Sequence, residues 1–211
     1  SKVAKEHPDW VVWHKPYPIL NLAKPEVAKW MESQLREIID NYKIDLWRLD
    51  FNTPTTSAFE GATNDLGGVQ ENNFWRYYDS FYAIYDRIHA KYPDLILQQA
   101  ACGGGRNDLG TAARFHEQYL TDGLRLPFEV QNYSGQSLSL PPETFVVAHG
   151  ADGGAGTGHA ENLETNLRVI YTLSTPWLWS GAVAPNLKEM NPIRLERFRH
   201  YADIYKKFIR P

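Results

Sequence analysis

Cysteine is almost missing from this chain. Cys102 is the only one in 211 residues, which excludes an internal disulfide framework and any cysteine-rich zinc site. An excess of one charge is missing too. The 22 Lys and Arg stand against 25 Asp and Glu, a net charge of -3, so neither nucleic acid nor a membrane surface is expected as a partner. No segment approaches the ~18–20 continuous apolar residues of a membrane span. The stretch Ser1 to Pro8 holds no apolar core of a leader peptide, and any leader is expected upstream of this chain. Low-complexity tracts and strict repeats are absent. His14, His149 and His159 are present, but no His-Glu-x-x-His or comparable cluster joins them, so no metal is expected. Gly103, Gly104 and Gly105 followed by Arg106 form neither a dinucleotide fingerprint nor a phosphate loop, so no cofactor is expected either.

What is present is ordinary globular material with many rings. Hydrophobic residues make up 43% and charged residues 22% of a length that suits one domain of ordinary to large size. Aromatic residues reach 13%, with 7 Trp and 12 Tyr. A barrel core buries many such rings, and others can serve as platforms for the apolar faces of sugars.

Along the chain a short apolar run, a loop rich in Gly, Pro or Asn, and an amphipathic helix recur. Ile19–Asn21 ends a strand, and Pro25 then opens a helix reaching about Tyr42. Proline is tolerated there because the first helical N–H groups lack intrahelical partners. Trp30, Leu35, Ile38 and Ile39 give that helix an apolar stripe. Ile44–Asn52 reads as a strand, followed by a loop with Pro54, Gly61, Gly67 and Gly68. A second helix spans Asn73–Tyr92, carrying Phe74, Tyr78, Phe81, Ile84, Tyr85 and Ile88. Further strands are expected over Leu95–Gln99, Phe115–Leu120, Thr144–His149 and Trp177–Ala182. Helices are expected over Glu161–Leu173 and Pro192–Ile209.

This alternation predicts an α/β fold with a mainly parallel sheet and helical crossovers. Polar residues gather at the C-terminal ends of several strands: Asp50 and Asn52, Cys102 to Asp108, Asp122, and His149. Barrel enzymes build their sites in that way, because all strand ends converge on one face. The expected class is therefore a (β/α)8 barrel of the TIM type. About six strands are legible where a full barrel has eight, so the first strands are expected to be lacking. Residues 1–211 read as a single catalytic barrel domain or the later part of one.

Alternate side chains of a strand share a face, which puts Arg48, Asp50 and Asn52 together. One reading is a buried ion pair, which is costly and adds little stability. The other is a functional carboxylate with its charge held by the neighbouring cation. Asp122, before a glycine, suits either a loop start or the second carboxylate that glycoside hydrolysis requires. The three glycines after Cys102 suit either a flexible loop or a backbone that comes close to a ligand, with Arg106 and Asp108 fixing its shape.

In this order, the segments resemble the retaining α-galactosidases of glycoside hydrolase family 36, in the clan that includes family 27. His7-Pro-Asp-Trp10 and Leu20 to Val27 are similar to the family's "HPDW … LDL..PEV" stretch, and Ile44 to Asn52 to its "IDYIKWDMN". Tyr92-Pro-Asp through Gly110 resembles "YPD…ESC..GGGR.D.G", Tyr119 to Asp122 falls at "W-T-S-D", and Phe208 to Pro211 lies near the "YR.L" boundary. The resemblance implies that Asp50 is the nucleophile and Asp122 the acid/base, with carboxyl groups ~5–5.5 Å apart as in retaining enzymes. It further implies that Arg48, Asn52, Cys102, Gly104, Gly105 and Arg106 line the sugar pocket, with Lys15 in the place of a family arginine.

Three positions depart from the pattern. Arg48 replaces a lysine with a larger planar fork, Leu49 replaces a tryptophan, and Thr53 stands where arginine is frequent. The implied partner is an α-linked oligosaccharide or glycoconjugate, with N-acetylgalactosamine as an alternative to galactose and a homo-oligomer left open. A second reading keeps the barrel but not the turnover: a non-catalytic fragment or carbohydrate-binding remnant.

Overall fold

Pro25 opens the first long helix, as its sequence setting requires. The computed structural model describes residues 2–14, 17–50, 63–66, 69–101, 103–122, 126–150, 163–173, 175–179 and 191–210. These fall into two units, 1–97 and 98–211.

In the first unit a short helix α1 (Lys2–Glu6) and a turn at Pro8–Trp10 lead to β1 (Val11–His14) and β2 (Tyr17–Leu20). The strand expected to end at Ile19–Asn21 is β2, and it does not join the main sheet. It pairs antiparallel with β1, Val11 opposite Leu20 and His14 opposite Tyr17. Only residues 15 and 16 separate the two strands, and so short a link permits antiparallel pairing alone.

Helix α2 (Pro25–Tyr42) buries Val27, Ala28, Leu35 and Ile39. Ile38 and Trp30, expected in the same stripe, lie at its margin, Ile38 being exposed. The helix ends at Lys43, whose φ of 50° is left-handed and whose N–H reaches Ile39 O at 3.0 Å. Strand β3 (Leu46–Leu49) follows, shorter than expected. Residues expected as loop contain a hairpin of β4 (Thr63–Leu66) and β5 (Val69–Asn72), Leu66 opposite Val69. Two glycines between short polar runs are a hairpin signal.

Helix α3 (Asn73–Lys91) buries Tyr77, Phe81, Ile84, Tyr85 and Ile88. Tyr77 thus takes the buried place assigned to Tyr78. Each fully buried ring or branched chain contributes about 1.5–3 kcal/mol. Burial pushes the Tyr85 hydroxyl well above its ordinary value. Helices α2 and α3 are joined through Glu32, whose two oxygens accept from Arg36 at 2.6 Å and Arg87 at 2.7 Å. Among the described residues no helix is long and apolar enough to cross a membrane.

Strand β6 (Ile96–Gln99) begins in the first unit and ends in the second. The second unit continues with helix α4 (Leu109–Ala112), β7 (Glu117–Tyr119), helix α5 (Leu126–Gln136), β8 (Phe145–Gly150), helix α6 (Leu163–Leu173), β9 (Thr175–Trp179) and helix α7 (Pro192–Ile204). A wider helical turn, Tyr205–Ile209, extends α7. Strands β6 to β9 pair in parallel, with Gln99 opposite Gln118, Tyr119 opposite Val146, and Gly150 opposite Trp179.

Among the described residues the main sheet holds five strands in the order β3-β6-β7-β8-β9, and it does not close. The α/β class and parallel sheet therefore agree with expectation, while six strands reduce to five because β2 lies in its hairpin. Strand β9 starts before the expected Trp177 and includes Pro176, which an edge position tolerates. Residues 180–182 of the expected strand lie outside the described residues. Helix α5 was not expected at all. Leu120, Leu140, Phe145, Val147 and Ile170 form one core cluster, and Leu167, Phe198 and Tyr201 another.

Candidate active site

The first acidic group stands one residue beyond β3. Arg48 and Asp50, two apart, lie on one face of the strand, while buried Leu49 takes the other. Arg48 Nη2 donates to Asp50 Oδ2 at 3.3 Å. The Arg48 side chain is largely covered, at 19% exposure, but that of Asp50 stays 40% exposed. A sealed ion pair would hide both groups. Here the arginine side chain is the more covered of the two and the aspartate side chain the more exposed. Among the described residues its other oxygen accepts no hydrogen bond.

The second acidic group belongs to the second unit. Strand β6 runs through buried Ala100 and Ala101 into the glycines. Gly103 and Gly104 have φ of 56° and 82°, left-handed values that favour glycine. Both are also crowded. A Cβ on Gly103 would stand 2.5 Å from Asp122 Oδ2 and 2.9 Å from Asp122 N. A Cβ on Gly104 would strike the Leu120 carbonyl oxygen and stand 2.6 Å from that of Tyr119. The glycines thus let one strand end lie directly against the next. The sequence suggested a close approach to a ligand; the approach seen at Gly103 and Gly104 is to the chain carrying Asp122, which is itself exposed.

The turn that follows is fixed by side chains. Asp108 caps α4: its Oδ1 accepts from Thr111 N at 2.6 Å, while Thr111 Oγ1 accepts from Asp108 N at 2.9 Å. This reciprocal pairing satisfies two donors at the helix start. Asp108 therefore shapes the loop as expected. Arg106 is buried and its carbonyl accepts from Thr111 Oγ1 at 3.3 Å, whereas Gly105 is exposed. Lys15, Asn52 and Cys102 lie outside the described residues, as do Thr53 and His159.

The Melibiase family model matches residues 1–173. The chain belongs to the Melibiase family. It is 28% identical over 171 residues to the Aspergillus flavus protein named "Probable alpha-galactosidase C", covering 75% of this chain and 21% of that protein. It is 28% identical over 158 residues to an α-galactosidase of Lactobacillus acidophilus, covering 71% and 21%. The chain thus spans about a fifth of the length of the curated relatives it matches. A variant of the GH36 α-galactosidase AgaA from Geobacillus stearothermophilus, solved in complex with raffinose, matches the fold with a TM-score of 0.81 at 17% identity. That likeness covers 100% of this chain and 29% of the other.

Within this Melibiase-family chain, sequence reading passed over a polar group beneath Asp122. Asn107 Nδ2 donates to Tyr119 O at 2.8 Å and to Gln136 Oε1 at 2.9 Å. Gln136 Nε2 in turn donates to Leu120 O at 3.1 Å. Gln136 was invisible because its helix was. Buried glutamines also mark the nearby strands. Gln98 donates to Glu117 at 2.6 Å, and Gln99 Oε1 accepts from Ala101 N at 3.1 Å. Two consecutive glutamines ending an apolar strand were the available signal, since buried amides occur where backbone or side-chain partners await them.

Proposed function

We propose that this chain is the later part of the catalytic (β/α)8 barrel of a retaining α-glycoside hydrolase, and that it acts on α-galactosides. Asp50 is the nucleophile and Asp122 the acid/base. The observation that carries the reading is an exposed carboxylate one residue beyond the end of β3, held on one oxygen by Arg48 at 3.3 Å, in a chain of the Melibiase family.

The chemistry follows a double displacement. The Asp50 carboxylate attacks the anomeric carbon from the β face while the bond to the leaving oxygen breaks. Asp122 gives that oxygen its proton. The resulting β-linked glycosyl ester is then attacked by water from the α face. Asp122, now ionised, takes a proton from that water, and the sugar leaves with its original configuration. Lys15, Arg48, Asn52 and Cys102, with Gly104, Gly105 and Arg106, are the groups proposed to line the sugar pocket. Raffinose, held by the Geobacillus enzyme, is the natural first oligosaccharide to try.

The test is Asp50→Ala in the intact protein. Turnover of aryl α-galactosides should fall by about 10⁴-fold or more, as for other nucleophile removals, with the circular dichroism spectrum retained. Azide should restore part of the activity and yield a β-galactosyl azide, because it enters the space that Asp50 leaves. Near-normal rates in Asp50→Ala would end the nucleophile assignment.

A further inference from the structure

Tyr119 ends β7 and Leu120 follows it, and in an extended strand their carbonyls would point to opposite sides. Here both converge on Gly104, whose absent Cβ each would touch. The chain therefore leaves the extended conformation at this point, two residues before Asp122. Convergent carbonyl dipoles repel one another, so the bend needs donors opposite both oxygens. Asn107 supplies one to Tyr119 at 2.8 Å, and Gln136 supplies one to Leu120 at 3.1 Å.

The two amides can face only one way. Carbonyl oxygens accept and never donate, so both NH₂ groups must point at the backbone. That leaves Gln136 Oε1 to accept the second hydrogen of Asn107, at 2.9 Å. On the other side, Leu120 N donates to Val146 O at 3.0 Å and keeps the bend anchored to β8.

We infer that Asn107 and Gln136 are positioning residues for Asp122: by holding the converged carbonyls of Tyr119 and Leu120, they aim the carboxyl group that protonates the leaving oxygen. The inference rests on the acid/base reading of Asp122. Neither amide touches substrate in this scheme. Without them the two peptide groups rotate apart, and Asp122 is carried with them.

The test uses substrates that need an acid to different degrees. An alkyl α-galactoside leaves only with proton donation, whereas a dinitrophenyl α-galactoside leaves unaided. The variants are Asn107→Asp and Gln136→Glu, which replace a donor with an acceptor at unchanged size, and Gln136→Ala as a milder change should either fail to fold. In the intact protein kcat/KM on the alkyl substrate should fall by about a hundredfold, the scale of a misplaced catalytic group. On the dinitrophenyl substrate the fall should stay within about threefold, since the proton transfer that general acid catalysis contributes is not needed there. Asp122→Ala is run alongside. If it shows the split between substrates and the amide variants lose both activities equally, or lose neither, the inference falls and the acid/base reading stands. If Asp122→Ala shows no split, the acid/base reading falls and the inference with it.

Discussion

Gly103 lies directly beneath Asp122, so close that a Cβ on the glycine would stand 2.5 Å from the carboxylate oxygen Oδ2. Two carbon-bearing groups cannot share that space. Gly103→Ala should therefore displace the Asp122 side chain and add strain at a φ of 56°. The strain costs about 1 kcal/mol, whereas the displacement should lower kcat/KM by about a hundredfold. Steady-state kinetics beside thermal melting separates the two. A variant as active as the parent would mean that Asp122 can move aside without loss.

Arg48 offers a second check. Its Nη2 reaches Asp50 Oδ2 at 3.3 Å, and a lysine there keeps the charge but not the planar fork. Arg48→Lys should retain activity within about tenfold, while Arg48→Met should lose about a hundredfold through misplacement of the carboxylate. Equal rates in the parent and Arg48→Met would show that the pair is structural only.

Glu32 gives a prediction in pH. Burial alone would raise its carboxyl, but hydrogen bonds and charge from Arg87 and Arg36 outweigh burial and hold it below the ordinary value. A carboxyl depressed in the folded state binds fewer protons there than in the unfolded chain. Its contribution is therefore full above the unfolded value near ~4.3 and is lost as pH falls through the lower folded value. Glu32→Gln should cost about 1–2 kcal/mol at neutral pH, between the ranges for surface and buried pairs. Urea titrations at neutral and strongly acidic pH check this, and a difference that does not shrink in acid would contradict it.

Much of the architecture could be read from periodicity. The helices at Pro25–Tyr42 and Asn73–Lys91 carry clear apolar stripes, and the strand Ile96–Gln99 is bounded by turn residues. Helix α5 escaped because Pro127 near its start and Gly135 near its end leave only a short run between them, in which Phe128 and Val130 face solvent. Its reason to be helical is tertiary, since Tyr133 packs on the cluster around Phe145. The hairpin β1–β2 escaped because a short apolar run cannot state its partner. The pairing of Arg48 with Asp50 was legible from the two-residue period of a strand. The link from Gly103 and Asn107 to the strand before Asp122 was not, because it joins segments 12 or more residues apart through main-chain atoms.

The grip on the strand before Asp122 has a consequence for how this region can vary. It closes on the carbonyl oxygens of Tyr119 and Leu120, which every amino acid possesses. Their side chains serve the core, both being fully buried, and a volume-matched replacement there leaves the gripped atoms unchanged. The instructions for where Asp122 sits are therefore written at residues 103, 104, 107 and 136. A library that offered only volume-matched apolar residues at 119 and 120 should return many working sequences, whereas one that randomised those four should return few.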